Sequence, residues 1–291
     1  MTNASDIQPA RAARVPSRTR RWLRRYLLAA IGGAIIVFWL IIMFIGPEIA
    51  PYSYRAVDVM ARLRPPSAEN LFGTDALGRD ILSRVLVGTQ VSLLTGFAVV
   101  AVGGVFGTLF GGIAAYAGAK AEEIMMRLTD LFLSFPPLIL AMAIAAALGV
   151  GVMNTIFAMV VVWWPKYARL SRSLVIMQRS LEYVEAARVL GFGPGRTFFR
   201  HIAPNAIGPL IVLLTLDVGN AIITFAGLSF LGLGVVPPTP EWGAMVSEGR
   251  VLIEQWWVAT FPGLAIFTVV VGFNFLGDGI RDYLDPKARL R

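Results

Sequence analysis

Few residues in this chain can start a reaction. It contains no cysteine and one histidine, His201. Thiolate metal sites, iron–sulfur clusters, disulfides and a cysteine nucleophile are therefore excluded, and a His-rich metal site cannot be assembled. His201 reads as a loop hydrogen-bonder rather than a ligand. The run Gly191-Phe-Gly-Pro-Gly-Arg-Thr197 superficially resembles a phosphate loop, but its lysine is missing and the spacing fails. Asp217 is the one charge in residues 202–240, and Asn220 follows three residues later on the same helix face. An acid at such a place is costly and faces a cavity or a partner. It reads either as lining a polar pathway or as a structural hydrogen bond to another helix or subunit. The constellation Gly73-Thr-Asp75…Gly78-Arg79-Asp80 has two readings as well. It is a contact for an outside protein, or a capped helix start in which Thr74 or Asp75 accepts backbone N–H bonds.

The elements that carry these residues are membrane helices. Of 291 residues, 56% are hydrophobic and only 15% charged, where about a quarter charged is usual for a soluble domain. Mean hydropathy is +0.68. This excludes an ordinary soluble enzyme and a disordered chain. Residues 26–47, 85–119, 131–165 and 255–277 carry no charge. With about 20 apolar residues needed per crossing, spans are expected near 26–47, 92–117, 125–147, 153–171, 208–230 and 255–277, an all-α polytopic protein of about six transmembrane helices. The apolar stretch after the N-terminal arginines is too long for a cleaved signal peptide and no convincing cleavage site follows it. Gly103, Gly107 and Gly111 recur at four-residue spacing and give one helix face on which another helix packs closely, within the subunit or in a second one.

Charge orients the spans. Residues 1–25 hold seven Arg and one Asp, which keeps that end in the cytoplasm. Alternation then places 20 of the 26 basic residues inside, an N-in, C-in topology. The net charge of +8 and pI near 10.3 reflect this orientation, and no nucleic-acid partner is needed. The expected organisation is a basic cytoplasmic tail at 1–25, a first transmembrane helix at 26–47 and a periplasmic loop at 48–84. A core transmembrane domain at 85–281 includes a cytoplasmic loop at 172–207, and a cytoplasmic tail closes the chain at 282–291. Trp256 and Trp257 are expected at the outer interface.

The cytoplasmic loop is too organised for a plain connector. Leu181, Glu182, Glu185, Ala186, Ala187, Arg188 and Leu190 form helix readily. Gly191 is placed to end that helix in a left-handed conformation. Gly193-Pro194-Gly195 forbids continuation, and Pro204 and Pro209 frame the start of the next span. Such a helix either rests on the membrane surface or inserts as a knob into a partner's groove.

Glu185-Ala-Ala187, Gly191 four residues later and Pro204 thirteen after that glycine resemble the EAA loop of the membrane subunits of bacterial ATP-binding-cassette (ABC) importers. Phe72–Asp80, Asp130–Pro136, Glu182–Ala187, His201–Asn205, Leu228–Gly234, Pro237–Gly243 and Asn274–Pro286 resemble the peptide/nickel subgroup, more particularly the second permease of dipeptide and oligopeptide importers. Phe192 departs from the small residue often found after the loop glycine.

The resemblance implies a type I ABC importer permease fold in the bacterial inner membrane. It implies a second homologous permease, two cytoplasmic ATP-binding cassette subunits and an extracytoplasmic substrate-binding protein as partners. ATP and Mg would be bound by the ATPase subunits, with no cofactor, metal or catalytic residue in this chain. Glu182, Glu185, Ala186, Ala187, Arg188, Leu190, Gly191 and Pro204 would form the ATPase-coupling loop. Within it, Glu185 would make a polar contact and Ala186 and Ala187 would pack closely. Asp217 and Asn220 are candidates for lining the pathway and sensing a peptide amino terminus. Asp75, Arg79 and Asp80 are candidates for a binding-protein contact or periplasmic gate. Nickel or another small solute is the alternative substrate. A secondary transporter or channel is the alternative class, and neither it nor a membrane enzyme requires the helix–Gly–turn–Pro loop.

Overall fold

The protein is described by a computed structural model covering residues 18–284, with side chains from Leu27 onward. The expected basic tail up to residue 17 and the last seven residues lie outside the described residues. Ten α-helices follow in order: α1 (Arg18–Ile49), α2 (Ile81–Ala114), α3 (Ala119–Leu133), α4 (Pro137–Leu148), α5 (Val152–Arg179), α6 (Glu182–Val189), α7 (Pro194–Thr197), α8 (Ala203–Phe230), α9 (Trp242–Gly249) and α10 (Trp257–Leu284). No β-strand forms among the described residues.

Four helical runs are long and apolar enough to cross a bilayer: Leu27–Ile49, Ile81–Ala114, Pro194–Phe230 and Trp257–Leu284. The expected straight span at 125–147 is corrected. It is broken into α3 and α4, which meet at 86°. The break falls at Ser134-Phe135-Pro136-Pro137, where a proline disfavours helix in the residue before it. Pro137 then supplies a preset first helical residue for α4. Residues 119–124, between two of the expected spans, are the start of α3, and the span expected at 153–171 continues as α5 to Arg179. With 28 residues α5 is long enough to cross, but it carries Lys166, Arg169, Arg172 and Arg179, and the fold must answer for each of them.

The centre of the bundle is α2, which packs against both α5 and α8. Its glycines set both distances. A Cβ on Gly107 would lie 2.2 Å from the carbonyl oxygen of Trp164, and one on Gly111 would lie 2.0 Å from that of Ala168. The four-residue glycine spacing is thus used within the subunit, backbone against backbone on α5. Gly96 and Gly104 turn to the other side and admit Ile222 and Leu214 of α8. At the outer end Trp242 of α9 is fully buried, and its indole donates to the Val85 carbonyl at 3.1 Å. Trp257 is buried rather than interfacial, donating to the Thr74 carbonyl at 3.2 Å, while Trp256 is exposed.

These contacts predict opposite outcomes for two kinds of glycine. Gly107→Val and Gly111→Val push a side chain into backbone that cannot rotate away, and each should destabilise by about 1–3 kcal/mol or more. Gly33→Ala, whose Cβ meets nothing within 4 Å, should be neutral or stabilising by up to about 1 kcal/mol. Thermal unfolding midpoints of the purified chain in detergent test both.

Candidate functional site

The cytoplasmic end of the molecule is shaped by a glycine. α6 has Glu182 and Glu185 in its first turn and Arg188 in its last, each favoured by the helix dipole. At its end Gly191 adopts φ +82°. The Gly191 N–H donates to the Arg188 carbonyl at 2.9 Å and the Phe192 N–H to the Ala187 carbonyl at 3.1 Å. This pair of bonds is a Schellman motif. It reverses the chain into α7, and a π-turn at Phe198–Ile202 joins α7 to α8. The π-turn has a local cause. Pro204 has no N–H for the Arg200 carbonyl, and the preceding Ala203 N–H reaches back to Phe198 instead.

α6 has an inner and an outer face. Val184 is buried with Val175, Ala115 and Ile202, and Ala187, three residues on along the same face, is buried too. Glu182, Glu185, Ala186 and Arg188 are exposed, as are Gly191 and Pro204. Val189 and Leu190 are 88% and 74% exposed. Of the two alanines expected to meet a partner, Ala187 is therefore occupied by this chain's own core. Val189 joins Leu190 at the tip and was not singled out from the sequence. Its signal was an apolar residue off the buried stripe of an amphipathic helix.

The basic residues of α5 are each held. Lys166 Nζ lies 2.7 Å from Asp217 Oδ2 on α8 and 4.6 Å from the centre of the Trp163 ring. Arg169 pairs with Asp130. Arg172 Nε donates to Glu122 Oε1 at 2.7 Å. Arg179 donates to the Ala115 carbonyl at the end of α2. From Val152 to Lys166, and from Asp217 to Phe230, the helix rise is about 20 Å. The Lys166–Asp217 pair therefore sits well over half a hydrocarbon thickness of about 30 Å from the outer end of each helix. Asn220 Nδ2 donates to Asp217 Oδ1 at 3.3 Å, and Asn220 itself is exposed. Sequence reasoning found Asp217 but not its partner Lys166, because nothing in residue spacing shows that two distant helices are neighbours.

The outer cluster is turned inward. Asp75, Arg79 and Asp80 are all nearly fully buried. Asp75 accepts from the Leu77 and Arg79 N–H groups and from Arg79 Nε. Arg79 and Arg84 also reach Glu248 of α9. Asp80, rather than Thr74 or Asp75, caps α2 through the Ser83 N–H at 2.8 Å. These three side chains are committed to internal partners and form no outward-facing surface in this conformation. Nearby, Glu241 caps α9 by accepting from the Gly243 and Ala244 N–H groups, each at 2.9 Å. Burial raises its pKa above the ordinary 4.5, opposed by those same bonds. No group of three or more His, Asp or Glu among the described residues is placed to hold a metal.

Residues 107–290 match the family described as binding-protein-dependent transport system inner membrane component. Residues 17–66 match the N-terminal transmembrane domain of oligopeptide transport permease C. The chain is 45% identical over 286 residues to the probable D,D-dipeptide transport system permease protein DdpC of Escherichia coli (strain K12), covering 98% of this chain and 96% of that protein. It is 43% identical over 268 residues to the dipeptide transport system permease protein DppC of Alkalihalophilus pseudofirmus, covering 92% and 88%. It is 41% identical over 283 residues to the glutathione transport system permease protein GsiD of Pectobacterium atrosepticum, covering 96% and 94%. Among solved structures, the MetNI methionine ABC transporter in inward-facing conformations superposes with a TM-score of 0.55 at 19% identity, covering 67% of this chain and 94% of that one. That likeness concerns the fold.

Two predictions follow from the geometry. Breaking the Lys166–Asp217 pair from either side leaves a charge without its partner, which costs about 3–5 kcal/mol when fully buried and less here, because Lys166 is one-third exposed. In a double-mutant cycle of unfolding, Lys166→Met and Asp217→Leu together should cost less than the sum of the two singly. Additive effects would mean no coupling. For Glu241 the folded state holds the proton more tightly than the unfolded chain. The stability linked to it is complete below about pH 4.5 and is lost as pH rises toward the raised folded value. Glu241→Gln keeps an oxygen for the cap and should remove this slope. Melting curves at pH 5 and pH 7 check this: wild type should lose stability relative to the variant as the pH is raised.

Proposed function

The chain belongs to the family of binding-protein-dependent transport system inner membrane components, and from that premise we propose that it forms one half of an ATP-driven import pathway for short peptides. As a member it is a multi-pass ABC importer permease of the bacterial inner membrane. Its relatives that carry dipeptides and glutathione in their names support the peptide assignment. The second half of the pathway is a homologous permease, two cytoplasmic ATPases supply the energy, and an extracytoplasmic binding protein delivers the peptide. ATP and Mg are bound by the ATPases, and hydrolysis is theirs.

The observation that carries the coupling role is α6, with its apolar tip, Val189 and Leu190, exposed to the cytoplasm beside two acids. This tip, with Ala186 and Glu185, is the surface that enters the ATPase cleft. α6 is also well placed to transmit motion, because it is the link between α5 and α8. Those two helices are joined within the membrane by Lys166 and Asp217. A displacement of α6 therefore moves the pair as one body, and α2, clamped to both, goes with it. Closure of the ATPases on ATP shifts such a rigid-body equilibrium only by its differential affinity for the two states. Asn220, beside the pair and exposed, faces the pathway and meets the peptide.

Affinity purification from gently solubilised membranes tests the assembly. Tagged wild-type chain should bring down two ATPases and a second permease. Val189→Glu and Leu190→Glu, which alter only exposed side chains, should lower ATPase recovery at least tenfold while second-permease recovery and chain level stay unchanged. Uptake of a radiolabelled dipeptide should fall in parallel, and unlabelled dipeptide but not nickel should compete. Wild-type recovery of the chain alone would refute the importer assembly, and competition by nickel would refute the peptide assignment.

A further inference from the structure

Beside α6, the segment after α2, the end of α5 and the coupling segment line a half-open cavity of about 250 Å³. Its walls are Tyr116, Arg179, Arg188, Phe192, Pro194 and Thr197. None of them is acidic. Two are guanidinium groups close enough to act on the Tyr116 hydroxyl. That hydroxyl is itself buried and makes no hydrogen bond. An orphaned buried donor calls for a partner that the protein does not supply. Arg179 stacks on the Tyr116 ring with its guanidinium carbon 4.6 Å from the ring centre and spends one donor on the Ala115 carbonyl. Arg188 forms no ion pair among the described residues, although Glu185 stands one turn away on the same helix. A third guanidinium, Arg196, covers the outer face of the Phe192 ring at 4.5 Å.

We propose that this cavity is a binding site for a small oxyanion, a phosphate or a carboxylate, held by Arg179, Arg188 and the Tyr116 hydroxyl. Arginine forks match the paired oxygens of both groups. The phenol donates the additional hydrogen bond and so gains the partner it lacks. Size limits the ligand. Drug-sized and nucleotide-sized ligands occupy about 300–1,000 Å³, so this cavity suits an oxyanion head group alone. Burial raises the Tyr116 pKa, while the two arginines oppose that rise. The phenol therefore keeps its proton and remains a donor at neutral pH. Phe192, the residue at which the loop departs from the small side chain otherwise common there, is one wall of the cavity.

The anion has two possible sources, free phosphate in the cytoplasm or a carboxylate side chain of the docked ATPase. In either case it bridges the inner end of α2 to the end of α6 and stiffens the segment through which force passes. The site itself belongs to this chain alone. Only its consequence for coupling rests on α6 being the docking helix.

The test uses the full chain in lipid nanodiscs and radiolabelled orthophosphate in equilibrium dialysis. Wild type should bind one phosphate saturably, weakened about tenfold in Arg188→Gln and several-fold in Tyr116→Phe, which keeps the ring that Arg179 stacks on. Binding that is absent in wild type, or equal in wild type and Arg188→Gln, overturns the proposal. The same phosphate series is then applied to the affinity-purified complex. Displacement of the ATPases by phosphate identifies an ATPase carboxylate as the natural occupant, and undisturbed ATPases identify the free anion. Either result upholds the site. Failure of the α6 docking reading is seen separately, as unchanged ATPase recovery in Val189→Glu with phosphate binding intact.

Discussion

The structure depends on how closely α2 lies against α5. At Gly107 and Gly111 even a methyl group would overlap a backbone carbonyl of the neighbouring helix. Lipid tails are as apolar as leucine, so membrane helices gain little by hiding apolar side chains from them, and close packing has to supply the association. Once α2 and α5 are fixed at that distance, Gly96 and Gly104 on the other side of α2 bring α8 in as well. α5 and α8 thereby become neighbours, and two charges far apart in the chain meet. The ion pair between Lys166 and Asp217 is a consequence of that glycine packing.

Charge satisfaction then organises the inner half of the molecule. Four basic residues descend one helix, and each finds a different answer: Asp217 on α8, Asp130 and Glu122 on α3, and a backbone carbonyl at the end of α2. The bend of 86° between α3 and α4 belongs to this arrangement. It lets the charged α3 run beside the lower part of α5 while the apolar α4 remains with the bundle. Loop charges that count toward orientation are thus, on this side of the protein, also structural partners.

The outer end follows a different economy. Asp80 caps α2, Glu241 caps α9, and Asp75 is shared between two arginines that also hold Glu248. Residues that look catalytic by type serve as caps and counter-ions. The polar groups that remain available lie elsewhere, at the exposed tip of α6 and in the basic cavity beside it.

Local features were legible in the sequence because their causes are local. The apolar runs located the long helices, although four, or five with the bent pair, qualify as crossings where about six were expected. Gly191 followed by Gly-Pro-Gly determined where α6 ends, since only glycine takes that left-handed turn without strain. The ordered motifs from the outer loop to the last helix determined the family. The tertiary structure alone decided which face of α6 is free, because the face that carries Val184 and Ala187 is buried, with Val184 packed on Val175 and Ile202 of other elements. It alone decided that Lys166 is Asp217's partner, that Trp257 is buried while Trp256 is not, and that the glycine stripe closes on α5 rather than on a second subunit. Periodicity states which residues share a face. It carries no information about what that face meets, which is set by the packing of helices far apart in the chain.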